Sequence, residues 1–443
     1  MPFIPNTDKD RAEMFAKIGV KNFEALLAPI PEHLRLKEPL NIPNPLSEME
    51  VKKLLHRLAN NNITGISFMG AGSYDHYIPS LVDYVISRPE FYTAYTPYQP
   101  EASQGTLQTI YEYQSMICEL FNMDIANASM YDGGSAVAEA CKVASNANSK
   151  TTFLISEGVN PNYRKCVETY FGKKKVKIIP LKDGQTDIEA IKDIYAKNKD
   201  IACTVIQSPN FLGILEPVKE ISSVVHSVNS LFIGVPLPIS LGMLTPPGEW
   251  GADIAVAEGQ AFGISQAFGG PGLGILSCKK DFVRSMPGRI IGQTQDSAGR
   301  RGFVMTLQTR EQHIKRERAT SNICTNEGLC AIAACVYLTV MGPEGLKEVG
   351  ELCYNKAHYL AKRICEIEGF KLVYEKPFFN EFVVSTPISA DKIVNKLAKK
   401  KIFAGVPVSK FYSGHKNELL IAVTEKRTKE EIEYFVEALK NVK

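Results

Sequence analysis

The spacing of apolar positions changes three times along this chain. Over the first 58 residues they recur at helical intervals in two short stretches, "DKDRAEMFAKIG" after Thr7 and "SEMEVKKLLHRLAN". In the second, Val51, Leu54, Leu55 and Leu58 share one helical face. Ser47 and Glu50 stand at the spacing of a capping box, in which each side chain satisfies a free backbone N–H of the other. The stretch between the two helices, "PIPEHLRLKEPLNIPNPL", is too rich in proline to be helical throughout. Residues 1–58 are therefore expected to form a helical arm that wraps over another surface.

Over residues 59–312 short β-rich runs take over. "TTFLIS", "VKIIPL", "IACTVIQS", "LFIGVPL" and "GILSCKK" alternate with helical patterns such as "QTDIEAIKDIYAK" and "LEPVKEISSVVHSV". This alternation predicts a largely parallel sheet with helices on both faces, and places an active site beyond the carboxyl ends of the strands. Residues 313–443 open on a long helical segment. Its apolar run "GLCAIAACVYLTVMG" is too short to span a bilayer and reads as a buried helix ending at Gly342-Pro343. A smaller α+β unit follows: "FFNEFVVST", "SADKIVNKLAKKK", "NELLIAVTE" and "TKEEIEYFVEALKN", with Thr428 and Glu431 again at capping-box spacing.

Composition narrows the function classes. With 443 residues the chain exceeds what one core accommodates, and 44% hydrophobic with 22% charged residues is the make-up of a folded protein. Its 51 bases and 48 acids leave a net charge of +3, which gives no ground for a nucleic-acid or membrane partner. The run Lys173-Lys174-Lys175 reads as a solvated turn. Ten cysteines without a C-x-x-C pair suit buried free thiols, and seven histidines show no metal-ligand spacing. The start, "MPFIPNTDKDR", has no apolar core segment for secretion. A soluble, cytoplasmic protein without a metal is expected.

Candidate chemistry concentrates in five places. "MYDGGSAVAEACKVAS" puts Gly133, Gly134 and Ser135 at a helix start, which suits either a phosphate or a plain N-cap. "IQSPNFLGILEP" puts Asn210 in a loop after a strand, a crossover turn or a cofactor-side loop. Tyr74, Tyr77, Tyr95 and Tyr98, with Gln99 and Glu101, are costly to bury without partners and suit a site or a subunit interface. "GADIAVAEGQAFGISQAFGGPGLG" reads as strand, Gly-rich loop, strand; it lacks the G-x-G-x-x-G spacing of a dinucleotide loop. "GRRGFVMTLQTREQHIKRERATSNICT" carries six bases, including Arg300, Arg301 and Arg310, some suited to an anion or an interface.

In this order, "YTPYQPEASQG", "GADIAVAEGQAFG", "FGGPGLG", "GRRGF", "LQTREQHI" and "ATSNICT" strongly resemble the glycine cleavage system P-protein family. The resemblance runs from the N-terminal helix to "NELLIAVTE" and is to the N-terminal half of the long form, a separate chain called subunit 1 in many prokaryotes. It implies a fold-type I aminotransferase-like α/β fold: a mostly parallel seven-stranded sheet, an N-terminal helical arm and a smaller C-terminal domain. In the catalytic half of that family a His-Lys pair precedes the Gly-rich loop, and the lysine holds pyridoxal phosphate. Aligned on the loop, Gly259 and Gln260 stand at those positions here. A carboxamide cannot form an imine. The strand "LFIGVPLPISLGMLTPP" also lacks the carboxylate that fold-type I enzymes set against the pyridine nitrogen.

The implied protein is thus a degenerate subunit of glycine decarboxylase with no catalytic residue of its own. Pyridoxal phosphate would be bound covalently by subunit 2, with two copies of each chain in the complex. The lipoyl group of H-protein would accept the aminomethyl group, alongside the other glycine cleavage components. Tyr95, Tyr98, Glu101, Thr320, Ser321 and Thr325 are the candidates for reaching the partner's active site or packing the interface. Gly133, Gly134, Ser135, Asn210 and Gln260 are those for a degenerate cofactor pocket. Two alternatives stay open: a self-sufficient pyridoxal-phosphate lyase using Lys279 or Lys280, and a scaffold that only binds H-protein.

Overall fold

The computed structural model describes residues 5–267 and 269–442. Residues 1–4, Phe268 of the "FGGPGLG" motif and Lys443 lie outside the described residues. The chain divides into two units, Met1–Ile63 and Thr64–Lys443.

In the first unit, α1 (Asp8–Ile18) and α2 (Glu48–Ala59) each start on a capping box, Thr7 with Asp10 and Ser47 with Glu50. Neither helix buries a single residue. Ile18, Met49, Leu55 and Leu58 are exposed, as are Leu36, Leu40 and Ile42 of the proline-rich stretch. Amphipathic helices normally hide that stripe.

The second unit is built on seven strands: β1 (Ile125–Ala126), β2 (Thr152–Ser156), β3 (Val176–Ile179), β4 (Ile201–Ser208), β5 (Leu231–Pro236), β6 (Ile254–Glu258) and β7 (Gly274–Cys278). Their order is β1-β7-β6-β5-β4-β2-β3. Strands β2 to β6 run parallel, and β7 is antiparallel to both its neighbours. Side-chain alternation assigns the faces. Phe153, Ile155, Cys203, Val205 and Ile233 pack with Ala136, Ala140 and Ala144 on one face. Leu154 and Phe232 pack with Ile191, Ile221 and Val225 on the other. Helices α3 (Gln104–Phe121), α4 (Gly133–Asn148), α5 (Pro161–Phe171), α6 (Ile188–Lys197) and α7 (Val218–His226) supply these layers. The long apolar run of β4 follows from its being covered on both sides.

"GRRGFVMT" proves to be half of a hairpin, β8 (Ile290–Gln295) with β9 (Arg301–Thr306). The next helix, α8 (Gly328–Cys365), does not end at Gly342-Pro343 as expected but kinks there. Gly342 adopts φ 59°, ψ −175°, which breaks the ladder, and Pro343 opens a second helical segment. Proline is tolerated at a helix start because its missing N–H would have had no helical partner. By length and composition α8 could cross a membrane. Instead Ala331, Ala334 and Tyr337 pack with Ile117, Phe121 and Phe262, so it serves as a core helix. Beyond it, β10 (Lys371–Leu372), β11 (Glu381–Ser385), β12 (Val406–Pro407) and β13 (Glu418–Ala422) form an antiparallel sheet in the order β10-β11-β13-β12. Helices α9 (Ala390–Ala398) and α10 (Lys429–Lys440) close its core around Phe382, Ile393, Leu397 and Phe435. The Thr428–Glu431 capping box forms at the start of α10.

Candidate functional site

The carboxyl ends of the parallel strands face the start of α4, where an α/β sheet of this kind places its ligand. Asp132 Oδ1 accepts from the Ser135 N–H at 2.7 Å, and Ser135 Oγ accepts from the Asp132 N–H at 3.1 Å. Ser135 is thereby spent on the cap. Gly133 and Gly134 open the helix, and their free N–H groups make a cup suited to an anion.

The cup is already filled. Glu258, the last residue of β6, accepts from the Gly133 N–H at 2.9 Å through Oε2. Its Oε1 accepts from the N–H groups of Leu273 at 2.9 Å and Gln260 at 3.0 Å. Burial pushes this carboxyl above the usual range, and the Leu273 and Gly133 N–H groups pull the other way. Tyr163 on α5 closes the same space. A β-carbon at position 133 would lie 2.6 Å from its hydroxyl oxygen, so only glycine fits there.

What remains open beside Glu258 and Gln260 is a void of ≈ 30 Å³. That is room for about one or two waters, where pockets holding organic ligands run to roughly 300–1,000 Å³. Gln260 is held rigidly, with Nε2 donating to the Ile264 carbonyl at 2.6 Å and Oε1 accepting from the Tyr74 N–H at 3.3 Å. Apolar Val235 and Pro236 line the wall from β5, the strand that carries no carboxylate. No lysine is among the described residues that line it. Pyridoxal phosphate needs an amine, a carboxylate and space, and these residues offer none of the three. Lys279 and Lys280 do not rescue the fit. They follow β7, which runs against the parallel strands, so they lie at the opposite end of the sheet. There Lys279 Nζ is paired with Asp253 at 2.7 Å.

Behind Gln260, Tyr74 donates its hydroxyl to Glu381 Oε2 at 2.7 Å, and the Ala71 N–H donates to Oε1 at 2.7 Å. Burial pushes Glu381 up to about 7, against the pull of those two donors. The folded chain therefore holds this proton more tightly than the unfolded chain. The stability it lends is complete below pH 4.5, the ordinary value, and fades as pH rises through about 7. In urea melts between pH 4.5 and 8, Glu381→Gln is expected to flatten that decline relative to the parent; an unchanged slope would show that Glu381 does not cause it.

The other expected residues separate. Asn210 staples the turn after β4: it donates to the Gly184 carbonyl and Glu216, each at 2.8 Å, and accepts from the Leu212 and Ile214 N–H groups. It takes no part in lining the void. The tyrosines do not cluster, since Tyr74 is buried while Tyr77 and Tyr95 point to solvent. Tyr95 and Thr325 line one open groove of ≈ 210 Å³ beside Asn326 and Leu329. Tyr98 lies against Arg289, which also holds Thr325. Glu101 is exposed. Thr320 and Ser321 border a separate shallow depression of ≈ 500 Å³. Its Glu139 is pushed up to about 7 by burial, with the Ser321 hydroxyl pulling it down. His76, Cys353 and Glu425 place ligand atoms within 4.8 Å of one another. Glu425 already accepts there from His76 Nδ1 at 2.7 Å, the Cys353 thiol at 3.4 Å and the Tyr77 N–H at 2.5 Å, which satisfies it without an ion.

Sequence reasoning did not single out Glu258, Tyr163, Glu381 or Arg289. Two of them carried a signal: Glu258 is the only acid between the β6 run and the Gly-rich loop, and Arg289 sits between apolar stretches in "MPGRIIG".

A seven-stranded sheet of this order, with its cup at the start of α4, belongs to the fold-type I pyridoxal-phosphate architecture. A NifS-like protein from Rickettsia africae shares it, with a TM-score of 0.65 over 85% of this chain and 99% of that one, at 14% identity. The family model for glycine cleavage system P-protein matches residues 1–439. The chain belongs to that family. It is 50% identical over 445 residues to the probable glycine dehydrogenase (decarboxylating) subunit 1 of Chlorobaculum parvum, covering 99% of both chains. It also superposes on a crystal structure of glycine decarboxylase (P-protein) of the glycine cleavage system, in inhibitor-bound form. There the TM-score is 0.92 and the identity 41%, with 100% of each chain covered.

Proposed function

We propose that this chain is subunit 1 of a two-subunit glycine decarboxylase of the glycine cleavage system, and that it holds no cofactor itself. The observation that carries this reading is the cup at α4 occupied by Glu258, with Gln260 where the family's lysine would stand. Pyridoxal phosphate is then bound covalently by the second subunit. That subunit releases CO2 from glycine and passes the aminomethyl group to the lipoyl arm of H-protein. The relative's name, subunit 1, supports a second chain, and the uncovered apolar face of the arm supports its close association, with two copies of each. The ten free cysteines support a reducing, cytoplasmic setting. The test is release of CO2 from carboxyl-labelled glycine with lipoylated H-protein present. Activity should require both chains, and full turnover by the second chain alone would refute the proposal.

Under this reading, Tyr95, Tyr98, Glu101, Thr320, Ser321 and Thr325 face the partner's site. Hydroxyls suit a phosphate or a carboxylate as donors, and each such bond is worth about 1.5–3 kcal/mol. Tyr98→Phe and Thr320→Ala should leave the mass of the assembled complex unchanged while weakening cofactor or glycine binding by roughly tenfold to a hundredfold. Normal constants in both variants would move the chain toward the scaffold reading.

A further inference from the structure

Arg289 immediately precedes β8 and is only 4% exposed. Its Nη1 donates to Thr325 Oγ1 at 3.0 Å and Asn326 Oδ1 at 3.4 Å, and Nη2 donates to the Tyr98 hydroxyl at 3.3 Å. The guanidinium also lies 5.6 Å from the centre of the Tyr98 ring. Its acidic neighbour, Glu311, is 4.0 Å from Nε, and Nε itself is buried without a hydrogen-bond partner. Glu311 in turn faces His313 at 3.5 Å, and the His313 ring meets Tyr98 edge-on at 6.4 Å. One buried cation thus joins segments distant in sequence, and the groups it joins, Tyr98 and Thr325, are those that reach solvent.

Burying a guanidinium this incompletely paired costs stability, and an apolar residue would pack the same space at lower cost. Sites that must present several groups in one geometry commonly accept such a cost, because the exposed groups are only as well placed as what stands behind them. We propose that Arg289 is a positioning residue of the glycine decarboxylase reaction, fixing the Tyr98 and Thr325 hydroxyls as one rigid pair that this chain presents to the partner's active site. The proposal rests on the reading that those two residues face that site. Lysine cannot take over the role, since one ammonium cannot reach three acceptors that a planar fork spans.

The test uses the assembled complex of both subunits with H-protein, reading mass by light scattering and the KM and kcat for glycine. Arg289→Lys should assemble normally, raise KM about tenfold and change kcat by less than about threefold. Combined with Tyr98→Phe it should be little worse than either single change, because both remove the same placement. Additive effects, or a silent Arg289→Lys beside an impaired Tyr98→Phe, would overturn the role of Arg289 alone. A silent Tyr98→Phe would remove the reading beneath it. Should Arg289→Lys fail to assemble, the cycle of Tyr98→Phe with Thr325→Ala decides with Arg289 intact: coupled losses support a shared anchor and independent losses overturn it.

Discussion

Borohydride reduction of the purified chain in excess pyridoxal phosphate should leave no lysine converted to a pyridoxyl adduct in stoichiometric yield, as read by mass analysis of its peptides. Three features combine to this end. The position that needs an amine holds Gln260, whose amide is engaged at both ends. The position that needs a phosphate holds the Glu258 carboxylate. The space for the ring has shrunk to ≈ 30 Å³. The expectation extends to Gln260→Lys. Restoring the amine leaves an anion in the cup, Tyr163 over Gly133 and no acid on β5, so this variant should stay unmodified as well. A single stoichiometric adduct in the parent chain would end the degenerate-subunit reading, and an adduct in the variant would show that the cup opens more readily than its geometry indicates.

Removing residues 1–58 should abolish stable pairing with the second subunit while leaving the remainder folded. The cores of the larger unit are made entirely of its own residues. The arm buries nothing in α1 or α2 and leaves its apolar stripe uncovered. Apolar area of this extent on a soluble chain marks an interaction surface. Losing it should raise the dissociation constant of the two chains by at least about a hundredfold, or ~2.7 kcal/mol. Light scattering on mixtures of the truncated chain with subunit 2 measures this, and circular dichroism confirms that the truncated chain is folded. Undiminished association would assign the arm's stripe to some other partner.

The fold was legible wherever local pattern and global environment agree. β-rich runs became the strands of the central sheet, and S/T-x-x-E spacings became helix starts at Ser47 and Thr428. The kink in α8 was not legible, because Gly-Pro reads as an ending unless packing on both sides of it resumes the helix. The hairpin of β8 and β9 was hidden by its charged, glycine-containing second strand. For the site, the family resemblance located Gln260, and the structure then showed what sequence spacing cannot: Glu258 is 125 positions from Gly133 in the chain yet 2.9 Å away in space. The same limit separates the Tyr95–Tyr98 segment from Thr320 and Ser321. Similar hydroxyl-bearing motifs proved to sit in different recesses, because hydroxyl content says nothing about which surface a loop returns to.

The Glu258 carboxylate is tethered to the cup it fills, so its effective concentration there does not fall on dilution. A fold that must recruit a free anion gains stability with the logarithm of the anion's supply. This chain carries its own, and the start of α4 is neutralised from the moment β6 and α4 meet. Its maturation is therefore independent of vitamin supply, and it can stand ready as a finished surface on which a cofactor-loaded partner assembles.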